Sequence, residues 1–243
     1  MNAPLPRDIF AAIDATWPPA RIVERGPWRL REGRGGGQRV SSATAETPVT
    51  ETDIDTAEAE MRKLSQRPIF MIRPTDKALD AQLAARGYPI VDPVTAYAVR
   101  AETLDNPLAP AVAMPVWPPL AIQREIWQQS GIGPDRIAVM ERAVVPRVAI
   151  LGRSGDTPAG VAYVAVDGGI AMLHALEVLP VFRRTGVARN IATRAATWAL
   201  SQGAHWLTLV VVSANGPATA LYRRLKMTPV TSYHYRRAPD VSA

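Results

Sequence analysis

The feature that most constrains the fold is an apolar segment that leads, through a turn rich in arginine and glycine, directly into a helical pattern. Residues 170–178 form the apolar segment, Arg183, Arg184 and Gly186 lie in the turn, and Val187 to Gln202 has helical spacing. The first N–H groups of a helix have no acceptor within it, and the helix dipole adds partial positive charge, so this arrangement predicts an anion site. Two arginines favour a polyphosphate over a single carboxylate. An ordinary capped strand–turn–helix is the alternative for the turn taken alone.

Helices and strands are predicted on both sides of this turn. Glycine and aspartate at 155–156 and 167–169 predict tight turns between three successive strands. The predicted series is helices at 120–129 and 134–144, strands at 147–152, 159–166 and 170–178, the helix at 187–202, a strand at 206–212, a helix at 217–226 and a strand at 230–236.

The first half predicts a second α/β region. Its elements are helices at 8–16, 52–64 and 76–86, a hairpin of 26–34 with 39–44, a strand at 67–72 and two short strands within 88–100. The glycine run 35–37 is read as the hairpin turn rather than a phosphate loop, because no helical pattern follows it. Five prolines within 106–119 indicate a linker.

Composition excludes several kinds of chemistry. The chain has no cysteine, so disulfides, thiolate metal sites and thiol nucleophiles are excluded. Its three histidines lack the spacing of a zinc site, and no metal is expected. The chain has no apolar run of about 18 residues. Residues 1–8 lack the pattern of a signal peptide, so a cytoplasmic protein without a membrane partner is expected.

Charge is uneven along the chain. The first 110 residues carry 14 basic and 15 acidic side chains, and the remaining residues carry 14 and 7, for a net charge of +6 overall. A basic second half suits an anionic ligand, although a general abundance of arginine explains it equally well. Because no compact basic cluster with interleaved aromatic residues occurs, nucleic acid is not an expected partner.

Two motifs carry a family resemblance. Arg183-x-x-Gly186-x-Ala188 resembles the Arg/Gln-x-x-Gly-x-Gly/Ala pyrophosphate turn of the GNAT (Gcn5-related) N-acetyltransferases, and Asn215-x-x-Ala218-x-x-Leu-Tyr222 resembles a later helix of that family. The chain departs from the family at Lys226-Met227, where Gly-Phe is usual. The resemblance implies an α/β (α+β) class and the acyl-CoA N-acyltransferase fold, a mixed sheet flanked by helices.

The resemblance also implies a domain plan. We expect a degenerate GNAT-like module at 1–105, the proline-rich linker at 106–119 and a catalytic GNAT acetyltransferase domain at 120–243. The first module lacks the arginine–glycine turn and has Leu83 where the second has Tyr222. General self-similarity of an α/β chain is the alternative to a tandem repeat.

The family implies acetyl-CoA as cosubstrate. Asn215 would bind the pantetheine arm, Tyr222 would lie near the acetyl sulfur and protonate the leaving thiolate, and the Val178 N–H would stabilise the oxyanion. No metal or covalent intermediate is then required. The implied acetyl-CoA-binding residues are Leu176, Glu177, Val178, Arg183, Arg184, Thr185, Gly186, Val187, Ala188, Arg189, Asn215 and Tyr222.

Two residues compete as the base that deprotonates the amine. The run from Leu173 to Val178 resembles a strand of the arylalkylamine N-acetyltransferases that carries two histidines two residues apart; here His174 is present and Met172 takes the first position. An imidazole suits a proton relay through water. Simple alternation places His174, Leu176 and Val178 on one face and Leu173, Ala175 and Glu177 on the other. Glu177 is the rival base, and a buried structural histidine is the alternative for His174.

The predicted function is an acetyl-CoA-dependent N-acetyltransferase in which a primary amine attacks the thioester directly. A small-molecule amine is the expected acceptor. The sequence leaves open whether the protein forms a homodimer. A non-catalytic acyl-CoA-binding regulatory module and a protein N-terminal or lysine acetyltransferase are the alternatives.

Overall fold

A computed structural model describes residues 3–239. The chain forms two compact units. Unit 1 consists of the residues up to Pro18, Ala96–Val211 and Asn215–Val230, and unit 2 consists of Pro19–Thr95, Val212–Ala214 and the residues that follow Val230. The predicted division at 1–105, 106–119 and 120–243 differs from these units, because the first helix and the residues from Ala96 onward belong to unit 1.

Helices and strands are numbered in chain order. The helices are α1 (Pro6–Thr16), α2 (Glu51–Lys63), α3 (Lys77–Ala85), α4 (Ala101–Leu104), α5 (Ala121–Gln129), α6 (Pro134–Arg142), α7 (Val187–Ser201) and α8 (Gly216–Arg224). The strands are β1 (Arg21–Arg25), β2 (Trp28–Glu32), β3 (Thr44–Ala45), β4 (Ile69–Ile72), β5 (Ile90–Arg100), β6 (Ala113–Val116), β7 (Arg147–Ser154), β8 (Thr157–Asp167), β9 (Ile170–Val178), β10 (Trp206–Val212) and β11 (Thr228–Arg237).

Unit 1 is built on a mixed sheet in the strand order β5-β10-β9-β8-β7-β6. Strands β6 to β9 pair antiparallel, whereas β9 and β10 are parallel because α7 connects them as a crossover helix. Alanine and isoleucine side chains of α7, including Ile191 and Ala195, pack on the buried residues of β7, β8 and β9.

Two glycines let α7 approach the sheet closely. A Cβ atom at Gly152 would lie 2.7 Å from the Ile191 side chain, and one at Gly160 would lie 3.0 Å from Val187 and 2.7 Å from the Glu177 carbonyl oxygen. The beginning of α7 is therefore fixed against β7 and β8 by close packing.

Unit 2 contains the antiparallel sheet β1-β2-β3, together with β4, which pairs antiparallel with β11. Its core includes Trp28, Phe70 and Leu83, all fully buried. Helix α2 begins with a capping box in which Thr50 accepts from the Asp53 N–H and the Asp53 carboxylate accepts from the Thr50 N–H.

The predicted helices and the strands of the second half are confirmed, with small shifts at their ends. Of the predicted hairpin, the antiparallel pairing of its two segments is confirmed at Trp28 with Ala45 and Arg29 with Thr44, where β2 pairs with β3. The glycines at 35–37 do not form a tight hairpin turn and lead into a 3-10 turn at 38–40. The tight hairpin joins β1 and β2, with Gly26 at φ +55° in its turn. Residues 90–100 form one strand rather than two. The proline-rich segment contains β6, where Pro115 is tolerated because β6 is at the edge of the sheet.

Among the helices within residues 3–239, none combines the length and apolar character needed to cross a bilayer.

Candidate active site

The turn before α7 presents a set of unused backbone donors. Arg184 and Gly186 both adopt positive φ, +67° and +93°. The first N–H group of the helix to find a backbone acceptor is that of Asn190, which donates to the Gly186 carbonyl at 3.0 Å. The N–H groups of residues 184–189 donate to no acceptor in the described part of the chain. Together with the helix dipole, these donors form a site for a phosphate-sized anion.

A cavity of about 1020 Å³ adjoins this turn, and all of its lining residues belong to unit 1. Most of the predicted cofactor residues line it. These are Leu176, Glu177, Val178, Arg183, Arg184, Gly186, Val187, Ala188, Arg189, Asn215 and Tyr222. Thr185 does not line it; its hydroxyl donates to the Phe182 carbonyl at 2.7 Å and so stabilises the turn.

Other lining residues were not found from the sequence. Thr103 and Asn106, which the sequence assigned to the first module and the linker, contribute to the cavity wall with Thr193, Arg224 and Lys226. Their only sequence signal is the positive charge of the last two, because the topology that brings the chain after β5 next to α7 is not visible in local patterns.

The cavity is strongly cationic. Its lining includes Arg183, Arg184, Arg189, Arg224 and Lys226, and Glu177 is the one carboxylate among the lining residues. An elongated anion with more than one phosphate group matches this charge distribution.

Strands β9 and β10 separate beside the cavity. They pair only at Ile170–Met172 with Trp206–Thr208, although β9 continues to Val178. The Leu179 N–H donates to the Ala159 carbonyl on β8 at 2.9 Å. Because successive N–H groups of a strand point to opposite edges, the Val178 N–H points into the gap and is available to a ligand.

A β-bulge changes which residues of β9 share a face. Ala175 has φ +50°, and the pairing with β8 shifts between Val161 and Tyr163. Leu173, Leu176 and Val178 pack together in the core that contains α7, whereas His174 contacts α1 on the opposite face. The predicted alternation across this strand was therefore wrong, because the bulge inserts one residue. Since Leu176 and Val178 face the core, alternation beyond the bulge places Glu177 on the side of His174.

His174 is a buried part of an aromatic cluster. It is 4% exposed, its ring lies 5.0 Å from that of Trp17 and 5.9 Å from that of Tyr163, and it does not line the cavity. Its Nε2 lies 2.9 Å from the hydroxyl of Thr16, which itself donates to the Ala12 carbonyl. Nε2 therefore donates to Thr16, and this contact fixes the ring against α1.

Glu177 and Tyr222 are the cavity-lining residues whose pKa values are raised. Burial raises the pKa of Glu177, although a hydrogen bond from Ser130 and the nearby Arg183 and Arg136 oppose the shift. Burial also raises the pKa of Tyr222 to about 12, and the Glu177 carboxylate adds to this effect. Tyr222 therefore stays protonated over the physiological range, while Glu177 is a stronger base than an exposed carboxylate.

Helix α8 has a side-chain cap at its beginning and a left-handed residue at its end. The Asn215 side-chain oxygen accepts from the Ala218 N–H at 3.1 Å, which leaves its amide N–H₂ for a ligand. At the other end, Lys226 takes φ +59°, and the Met227 N–H donates to the Tyr222 carbonyl at 3.0 Å. Lysine therefore adopts the left-handed conformation that glycine usually supplies.

The chain is similar to one protein family in sequence and to several solved structures in fold. Residues 119–227 match the Acetyltransferase (GNAT) family. A GCN5-related N-acetyltransferase from Kribbella flavida is 21% identical with a TM-score of 0.69, covering 95% of this chain and 94% of that one. A functionally unknown conserved protein from Staphylococcus epidermidis is 13% identical, with a TM-score of 0.68 and coverages of 91% and 94%. A tandem GNAT protein from the clavulanic acid biosynthesis pathway is 14% identical, with a TM-score of 0.57 and coverages of 83% and 76%.

At these identities the solved structures show the fold, and the family match extends over a little less than half of the chain. Residues 119–227 therefore have the sequence pattern of a GNAT acetyltransferase domain, and the chain has the mixed-sheet acyl-CoA N-acyltransferase fold. No curated protein matches the chain. Within residues 3–239, no cluster of three or more histidine or acidic side chains is placed to hold a metal ion.

Proposed function

We propose that this protein transfers an acetyl group from acetyl-CoA to the primary amine of a small molecule. The observation that carries the proposal is the cationic cavity between the unpaired donors of residues 184–189 and the separated end of β9. The diphosphate of the coenzyme binds the donors before α7, and the pantetheine arm follows the open edge of β9. The side-chain N–H₂ of Asn215 donates a hydrogen bond to that arm.

Glu177 is the base in this proposal. It lines the cavity, burial raises its pKa, and it lies within electrostatic reach of Tyr222. His174 is buried in the aromatic cluster and positions β9 against α1. The residue nearest the reacting groups is therefore the carboxylate rather than the imidazole.

The reaction proceeds by direct attack. Glu177 takes one proton from the substrate ammonium, and the neutral nitrogen forms a bond to the thioester carbonyl carbon. The oxyanion accepts a hydrogen bond from the Val178 N–H. When the C–S bond breaks, the second proton lost by the nitrogen passes to the leaving sulfur, which yields the amide and coenzyme A.

Tyr222 assists this last step as a hydrogen-bond donor. With a pKa of about 12, its phenol is a weaker acid than a thiol of pKa about 8.5, so complete transfer of its proton to the thiolate is uphill. A hydrogen bond from the phenol stabilises the developing thiolate without that transfer. This role replaces the full protonation that the family resemblance implies.

Release of free thiol from acetyl-CoA tests the proposal. The panel contains putrescine, tryptamine, glucosamine, free lysine and a peptide with a free N-terminus, each compared with a reaction lacking amine. Amine-dependent thiol release with a small molecule supports the proposal. Release only with the peptide favours a protein acetyltransferase, and tight binding of acetyl-CoA without release from any amine favours a regulatory acyl-CoA-binding module.

A further inference from the structure

The bulge in β9 requires an unfavourable backbone conformation. Ala175 adopts φ +50°, which an alanine takes only at a cost, because its Cβ crowds the following carbonyl. Without the bulge, simple alternation would place Glu177 on the face of Leu173, against the core of α7. The position of Glu177 therefore depends on an interaction that holds Ala175 in this conformation.

A buried tryptophan makes that interaction. The indole Nε1 of Trp127 donates to the Ala175 carbonyl oxygen at 2.8 Å, and Trp127 is 0% exposed. Its own backbone is fixed, since the Trp127 carbonyl accepts from the Ser130 and Ile132 N–H groups at 3.0 and 2.8 Å. The hydrogen bond thus joins the rigid end of α5 to the bulged residue.

The same end of α5 also reaches Glu177. The Ser130 side chain lies near the Glu177 carboxylate and opposes the rise in its pKa that burial causes. Trp127 and Ser130, three positions apart at one helix end, therefore approach β9 at the bulged residue and two residues beyond it. A buried carbonyl left without its donor would favour any backbone rotation that restores a hydrogen bond.

We infer that Trp127 is a positioning residue for the acetyl-transfer step: its indole N–H holds the bulge at Ala175 and thereby keeps Glu177 beside the reacting groups. The inference rests on the proposed function, since it names the support of the proposed base. It also separates two properties of the site, because the donors before α7 that bind the coenzyme do not depend on this contact.

Trp127→Phe keeps an aromatic ring and removes the N–H donor. Trp28→Phe is the matched control, because Trp28 is also 0% exposed and its Nε1 also donates at 2.8 Å to a backbone carbonyl, that of Asp53 in unit 2. With acetyl-CoA and the best amine of the panel, we expect Trp127→Phe to lower kcat about tenfold or more. Its Kd for acetyl-CoA should stay within about twofold of the wild-type value, and kcat of Trp28→Phe within about twofold.

Rescue distinguishes positioning from general damage. In the Trp127→Phe background, Ala175→Gly should restore kcat to within about threefold of wild type, because glycine adopts positive φ without the hydrogen bond from Trp127. Ala175→Val, with Trp127 intact, should reproduce the loss, since a β-branched residue opposes this conformation. If Trp127→Phe does not fold, Ala175→Val still tests whether activity depends on the backbone conformation at Ala175.

The outcomes are separable. A kcat for Trp127→Phe no lower than that of Trp28→Phe, a normal kcat for Ala175→Val, or no rescue by glycine overturns the inference while the proposed function stands. If the wild-type protein releases no thiol with any amine of the panel, both the inference and the proposed function are overturned.

Discussion

The end of helix α8 allows a prediction in which one substitution moves stability and ligand affinity in opposite directions. Lys226 holds φ +59° in a position where the helix-ending hydrogen bonds are intact, with its own N–H donating to the Arg223 carbonyl at 3.0 Å. A left-handed conformation costs a non-glycine residue about 1–2 kcal/mol. Glycine removes that cost but gains about 0.4–1 kcal/mol of conformational freedom in the unfolded chain. The net expectation for Lys226→Gly is about 0.5–1 kcal/mol of added stability.

This gain corresponds to a rise in Tm of about 1–4 °C for a chain of this size. Thermal unfolding followed by circular dichroism, without ligand, measures it. Because Lys226 is also one of the cations that line the cavity, the same variant should bind acetyl-CoA more weakly in isothermal titration. Lys226→Arg is the control, since it keeps both the charge and the backbone cost. A glycine variant with a Tm at or below that of the wild type would refute the reasoning about this helix end.

Three further substitutions test the site. Tyr222→Phe should lower kcat about 10- to 100-fold, with an unchanged Kd for acetyl-CoA, because only a hydrogen bond to the leaving sulfur is lost; equal kcat values would remove Tyr222 from this role. Glu177→Gln should lower kcat about 10²- to 10⁴-fold. It should also abolish the acidic limb of the pH profile of kcat/KM, which lies above pH 4.5 because burial raises the pKa of Glu177 and only the ionised form is a base. Gly186→Glu should abolish acetyl-CoA binding, whereas Gly203→Glu, at φ +80° beyond the other end of α7, should leave Kd within about threefold; loss of binding in both would indicate a general defect.

The stability of the Glu177→Gln variant gives an independent check on the direction of the pKa shift of Glu177. A carboxyl group whose pKa is raised in the folded state favours folding when protonated, and this contribution is lost as pH rises through the folded-state pKa. At neutral pH the buried carboxylate is therefore destabilising relative to a neutral amide. The glutamine variant should accordingly be more stable than wild type at pH 7, and the difference should shrink toward acidic pH.

The turn before α7 could be predicted from sequence because its physics is local. A strand, an arginine-rich turn with Gly186 and a helical pattern are enough to specify unpaired N–H groups, and the structure places them beside a cavity. The helical spacing around Tyr222 likewise places that residue on a short helix that begins directly after its N-cap residue, Asn215.

The bulge at Ala175 could not be predicted, since an alanine in a left-handed conformation leaves no sequence signal. Its cause is a tertiary contact from Trp127, 48 residues earlier. The error in the faces of β9 follows from this one residue. The pairing of β2 with β3 could be predicted from alternating apolar residues, whereas the tight β1–β2 turn at Gly26, next to a proline, was not predicted.

The central claim is that backbone donors at the start of α7 bind the diphosphate of the coenzyme, and a crystal structure of the protein with acetyl-CoA tests it most directly. The account predicts phosphate oxygens within hydrogen-bonding distance of N–H groups of residues 184–189, with the thioester beside Glu177 and Tyr222. Phosphates located elsewhere on the protein would contradict it.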